Sequence, residues 1–197
     1  MFKIKFCGMT NIDDCFAAVD LSVDFIGFVF YRKSARYIEP KTVRRITEGL
    51  AGRIRTVGVF VGETGDEVRE IVDYCNLDFA QVYSETVCDK VKAEKKISAY
   101  RIGDKLPGVA ADGLVLFDSF TNGFGGSGVP FNINLLKGHS ALDRAFIAGG
   151  VSEENVAGIL QLRPFGIDLV SSIEKYKGKK DARKMKNLVE KVRSTEI

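Results

Sequence analysis

Histidine is almost absent from this chain: His139 is the only one in 197 residues. That excludes metal sites built on several histidines, and it makes Ser-His-Asp or Cys-His catalysis hang on a single residue. Cysteine is scarce as well. The four, at positions 7, 15, 75 and 88, form no CxxC pair, which argues against a zinc framework. No apolar run approaches the roughly 20 residues of a membrane helix; the longest candidate, Phe25 to Tyr31, has a strand's length. The start, MFKIKFCGMT, lacks the apolar stretch and small-residue cleavage site of a signal peptide. These absences lead to the expectation of a cytoplasmic protein with free thiols and no membrane partner. Charge is nearly balanced, 29 Lys and Arg against 26 Asp and Glu, so no strong basic field marks a nucleic-acid binder.

What is present is the composition of an ordinary globular chain, 45% apolar and 28% charged. A chain of this length buries roughly 70% of its unfolded surface without metal or disulfide staples, and we expect one domain over residues 1–197. Eight β-rich runs appear, at 3–6, 25–30, 57–61, 79–82, 97–102, 114–117, 145–148 and 167–170. Between most of them apolar residues recur at helical spacing, as in Ile12, Cys15, Phe16 and Val19, or Met185, Leu188, Val189 and Val192. Thr10 with Asp13 and Thr64 with Glu67 have capping-box spacing, and Pro40 suits a first helical turn. Segment 103–112, with Pro107 and two glycines, reads as a loop or single turn. Eight such units predict an α/β fold, a compact (β/α)8 TIM barrel with a shortened or missing fifth helix.

Active sites in such barrels lie at the carboxyl ends of the strands. There the sequence places Cys7, Ser34, Arg36, Gln81, Asp118, Gly149-Gly150, and the run of Asp168, Ser171, Ser172 and Glu174. Gly123, Gly125 and Gly128 match G-x-G-x-x-G, but they follow the sixth strand, and Pro130 intervenes before any helix, which argues against a dinucleotide fold. Glycine loops let backbone N–H groups approach an anion, and barrel loops after strands seven and eight commonly bind phosphate. Residues 175–186 carry seven Lys or Arg, read as a solvated outer helix face.

The segments KFCGMTN, DFIGFVFYRKSARYIEP, VGVFV, FAQV, the Asp118 loop ending in GGSG, AGGVSEENV and GKKD, in order along nearly the whole chain, resemble phosphoribosylanthranilate isomerase of tryptophan biosynthesis. The resemblance implies an Amadori rearrangement of N-(5-phosphoribosyl)anthranilate to 1-(2-carboxyphenylamino)-1-deoxyribulose 5-phosphate, with no cofactor and no metal. It implies Asp118 as general acid on the ribose ring oxygen and Cys7 as general base at sugar C2. Arg36 would grip the anthranilate carboxylate. Gln81 and Asp168 would contact substrate, and Gly126, Ser127, Gly128, Gly149, Gly150, Ser171 and Ser172 would hold the phosphate. The implied partner is a small phosphoribosyl molecule, and the choice between monomer and homodimer stays open.

Two segments depart from the family pattern. Gln81-Val82-Tyr83-Ser84 stands where the family usually has Gln-Leu-His-Gly, and Asp168-Leu169-Val170-Ser171-Ser172-Ile173-Glu174 where it usually has Asp-Val-Ser-Ser-Gly-Val-Glu. A serine in place of that glycine raises the question of backbone strain. A histidine-pathway aminoaldose isomerase would carry aspartate at Cys7, and a non-catalytic phospho-ligand barrel would have lost Cys7 or Asp118; both residues are present. Lys5, two residues before Cys7, shares its strand face. It favours a Cys7 thiolate, or it pairs with a barrel carboxylate.

Overall fold

A computed structural model of the chain describes residues 1–83, 95–103, 106, 108–109, 112–119 and 132–195. Eight parallel strands close into a barrel in sequence order: β1 (Lys3–Cys7), β2 (Phe25–Val29), β3 (Arg55–Phe60), β4 (Phe79–Val82), β5 (Lys96–Ile102), β6 (Leu114–Ser119), β7 (Ala145–Ile147) and β8 (Gly166–Leu169). β8 pairs with β1 to complete the ring, with Lys5 opposite Asp168. Among the described residues five α-helices surround it: α1 (Ile12–Asp20), α2 (Pro40–Leu50), α3 (Gly65–Tyr74), α4 (Val156–Leu160) and α5 (Ala182–Ser194). Described residues between β5 and β6 carry no helix, as the proline- and glycine-containing segment led us to expect. A short antiparallel hairpin, β9 (Glu174–Tyr176) and β10 (Lys179–Lys180), interrupts the path from β8 to α5.

The period-two alternation of the strands sorts side chains into two cores. Ile4, Phe6, Ile26 and Phe28 face the helices and join the larger core. The apolar stripes of α2, α4 and α5 meet them: Val43, Ile46 and Leu50; Val156, Ile159 and Leu160; Met185, Leu188, Val189 and Val192 are all buried. The inward residues form a second core around Phe25, Val57, Ile97, Leu116 and Phe146. Phe25 meets Phe79 and Phe146 edge-on at 5.6 and 5.3 Å, and Phe165 meets Phe146 at 5.2 Å, packing the amino end of the barrel with aromatic rings. On β4 and β6 the inward residues pass from apolar to polar at the carboxyl end: Phe79 to Gln81 on β4, Leu116 to Asp118 on β6.

The helix starts follow the expected chemistry with one correction. Thr64 and Glu67 form a complete capping box at α3, and Pro40 occupies the first turn of α2. At α1 the cap is Asn11, whose side chain accepts from the Asp14 N–H. Thr10 instead donates its hydroxyl proton to the Gly178 carbonyl, across to the β9–β10 hairpin. A tertiary acceptor outcompeted the local one. No helix among the described residues is long and apolar enough to cross a membrane.

The β1–β8 seam leaves no room for a side chain at Gly166, where a Cβ would lie 2.4 Å from the Lys3 carbonyl oxygen. Gly166→Ala should destabilise the protein by about 1–3 kcal/mol in urea unfolding, because backbone must shift. Gly158→Ala, on the exposed side of α4 with open space around it, should instead stabilise by about 0.5–1 kcal/mol through helix propensity.

Candidate active site

A cleft of about 720 Å³, open mouth included, lies at the carboxyl ends of the strands. It brings together Cys7 from β1, Arg36 from the loop after β2, Gln81 from β4, Asp118 from β6 and Asp168 from β8. Gly149, Gly150, Ser171 and Ser172 line the same cleft. Every expected site residue that the structure describes is therefore in one place. The expected phosphate residues Gly126, Ser127 and Gly128 lie outside the described residues.

Beneath Cys7 sits a buried ion pair. The Lys5 ammonium donates to Asp168 Oδ1 at 2.7 Å, with side chains 0% and 4% exposed. Lys5 therefore takes the carboxylate-paired arrangement. Burial alone would lower its pKa, but the charges of Asp168 and Cys7 and the hydrogen bond to Asp168 outweigh that, and the net direction is up. The Cys7 pKa is shifted up, away from the thiolate. Burial pushes its pKa up, Asp168 adds to this, and the pull of Lys5 and Lys180 is too weak to reverse it. Lys5 does pull toward the thiolate as expected, but burial and the Asp168 charge outweigh that pull, so the net shift is upward. Asp118 is raised too, first by burial and then by Asp168, against opposing contributions from Tyr83, the Ser119 N–H and Arg101. A carboxyl held above its ordinary range is poised to donate a proton.

Arg36 is anchored from behind. Its Nε and Nη2 donate to the two carboxylate oxygens of Glu174, both at 2.8 Å, and its backbone N–H donates to Ser34 Oγ. Nη1 takes part in neither Glu174 bond. Glu174 opens the hairpin, and Lys180 closes it. The Lys180 ammonium donates to the Cys7 carbonyl at 2.6 Å, to the Val170 carbonyl at 3.2 Å and to Glu174 at 3.3 Å. Asp14 of α1 accepts from the Lys179 ammonium at 2.6 Å and from the Lys180 N–H at 2.9 Å. The basic run at 175–186 is thus not one solvated helix face. Lys179 and Lys180 belong to the hairpin, and Lys184 donates to the Glu174 carbonyl.

Gly149 and Gly150 both have left-handed φ, +78° and +71°, and a Cβ at Gly149 would meet the Ser119 N–H nitrogen at 2.6 Å. Ser171 and Ser172 lie in a 3-10 turn. Ser172 is not among the residues with positive φ, so the serine in place of the family's glycine carries no left-handed strain. Its Oγ is buried without a hydrogen-bond partner among the described residues, as is Gln81 Oε1. Among the described residues no group of three or more His, Cys, Asp or Glu could hold a metal ion.

Sequence reasoning did not assign roles to Tyr83 and Lys180. Tyr83 was reachable, since it follows Gln81 by two positions and shares its inward face. Lys180 was not, because nothing local separates it from its basic neighbours.

The model of the N-(5'-phosphoribosyl)anthranilate isomerase family matches residues 4–191. The chain belongs to that family. The isomerase of Caldanaerobacter subterraneus is 37% identical over 202 residues, covering 98% of each chain. The crystal structure of the isomerase from Thermotoga maritima superposes with a TM-score of 0.85 at 31% identity, covering 98% of this chain and 100% of that one. A further isomerase structure, in complex with reduced 1-(o-carboxyphenylamino)-1-deoxyribulose 5-phosphate, has a TM-score of 0.77 at 27% identity and covers 98% and 100%.

Two outcomes check the electrostatics. Lys5→Met should destabilise the protein by about 3–5 kcal/mol in denaturant unfolding, because Asp168 is left buried and unpaired; adding Asp168→Leu should recover most of the loss. Cys7, identified by mass spectrometry, should react with iodoacetamide more slowly at pH 7 than the same cysteine in the unfolded chain. Its rate should still climb as pH passes the free-thiol pKa of about 8.5, since the folded pKa is raised; a plateau below that pH would show a favoured thiolate.

Proposed function

We propose that this chain catalyses the Amadori rearrangement of N-(5-phosphoribosyl)anthranilate, with Asp118 as general acid and Cys7 as general base. The observation that carries the reading is the convergence of a carboxyl shifted above its ordinary pKa, a thiol and an anchored guanidinium in one cleft at the strand ends. It is supported by family membership and by the relative whose structure holds a reduced product analogue.

The steps follow from the groups present. Asp118 protonates the ribose ring oxygen, the C1–O bond breaks, and nitrogen lone-pair donation gives a Schiff base. Cys7 takes the proton from C2, and those electrons move to form the enolamine. Tautomerisation gives the C2 ketone. One proton is donated and one accepted, so the isomerisation balances without an oxidant or reductant. Because burial shifts the Cys7 pKa up, the reactive form is its minority thiolate, whose charge Lys5 and Lys180 help to hold.

Arg36 binds the anthranilate carboxylate through the part of its fork that Glu174 leaves over. The Glu174 bonds set the plane of the guanidinium before substrate arrives, which reduces the ordering cost of binding. Gln81 Oε1, a buried acceptor with no partner among the described residues, accepts from a sugar hydroxyl. Gly149, Gly150, Ser171 and Ser172 contribute to holding the phosphate at the opposite end, together with Gly126, Ser127 and Gly128. Asp168 serves the site through Lys5, which it neutralises.

The test is the decay of phosphoribosylanthranilate fluorescence, with substrate generated in place from anthranilate and phosphoribosyl pyrophosphate. Wild type should accelerate the decay, and Cys7→Ala and Asp118→Asn should each lose roughly 10²–10⁴-fold in kcat. A wild-type rate equal to the spontaneous one would overturn the reading and favour a phospho-ligand binding protein.

A further inference from the structure

Tyr83 stands where the family usually carries histidine, and it touches the general acid. Its hydroxyl donates to Asp118 Oδ2 at 3.1 Å and accepts from Gln81 Nε2 at 3.3 Å. A hydroxyl has one proton to give. Because Gln81 supplies a donor to the tyrosine oxygen, the tyrosine proton is directed to Asp118. Both residues reach the cleft from β4 or its end, two positions apart on the inward face, so the chain of bonds is a product of strand geometry.

Resting on the isomerase reading above, we propose that Tyr83 is the positioning residue of the general acid: held by Gln81, it occupies Oδ2 of Asp118 and leaves Oδ1 to carry the proton to the ribose ring oxygen. In a protonated carboxyl the carbonyl oxygen is the better acceptor. A donor fixed on Oδ2 therefore places the proton on Oδ1. After transfer the same hydroxyl stabilises the carboxylate that forms, as a hydrogen bond to the charged form does.

The Ser119 N–H also hydrogen-bonds to Asp118, and two charged side chains act on it. Arg101, opposite Asp118 on β5, faces the Tyr83 ring at 5.9 Å and acts on Asp118 by charge. Asp168 on β8 raises Asp118 by repulsion, and its own charge is paired with Lys5. Burial, and after it the charges of Asp118, Asp168 and Cys7 on β1, disfavour ionisation of Tyr83, so the tyrosine keeps its proton throughout the working pH range. A histidine there would change charge near neutral pH. A tyrosine makes a donor that does not switch off.

The experiment is a carbon-13 NMR titration of the free protein labelled at aspartate Cγ. The Asp118 resonance is identified by its loss in Asp118→Asn. In Tyr83→Phe the Asp118 midpoint should move to higher pH, because a bond to the carboxylate is lost. In Gln81→Leu it should move the same way by less. In the isomerase assay Tyr83→Phe should lower kcat about ten-fold, part of the 10²–10⁴ available to a general acid, with KM changed by less than about three-fold, as for an interaction made in the transition state only. An unmoved midpoint or an unchanged kcat overturns the proposal. A midpoint that moves down also overturns it, since Asp118 would then be the donor and Tyr83 the acceptor. The titration needs no substrate, so failure of the isomerase reading, seen as an inactive wild type, is distinguishable from failure of the hydrogen-bond assignment.

Discussion

The site depends on one buried ion pair, Lys5 with Asp168. The two residues lie opposite each other on β1 and β8, the strands whose pairing closes the barrel. They reach inward, where no water is available to solvate either charge alone, so the pair exists only when the seam is in register. Slipping β8 by one residue would turn Asp168 toward the helices and leave Lys5 buried without an anion. The pair thus ties closure of the ring to the electrostatics of the cleft above it. It also adds to what keeps the Cys7 pKa up: burial acts first, and the Asp168 charge opposes the pull of Lys5.

A second set of constraints comes from outside the barrel. The β9–β10 hairpin is fastened to α1 through Asp14 and to the loop before it through Thr10, and it delivers two side chains to the site from behind. Glu174 orients Arg36, and Lys180 fixes the carbonyl of Cys7. The pKa of Glu174 is held low: burial opposes its charge, but the bonds from Arg36 and the charge of Lys180 prevail. Residues far apart in the chain, 7, 14, 36, 174 and 180, therefore form one connected polar network under and beside the cleft. Such networks hold geometry well when every member is satisfied and are costly when one is removed.

The two departures from the family pattern have different structural weight. At β8, Ser172 occupies a 3-10 turn without left-handed strain, so a serine fits where glycine is usual. At β4, Tyr83 enters the site itself and contacts Asp118. Both residues line the cleft, but of the two only Tyr83 has a described contact with the general acid.

All eight barrel strands, the helices around them and the convergence of Cys7, Arg36, Gln81, Asp118 and Asp168 at one mouth were legible in the sequence. Period-two and period-3.6 patterning are local properties, and parallel strands joined by helices leave their carboxyl ends on one side. What the sequence could not determine was who pairs with whom. Thr10 at its cap spacing, Lys5 beside Cys7 and Lys180 within a basic run each had a local interpretation. Each was decided instead by a partner more than 160 positions away: Gly178, Asp168 and Cys7. Burial removes water as the alternative partner, so a buried polar group takes whichever complementary group the closed barrel brings within reach, and that identity is a property of the tertiary structure alone.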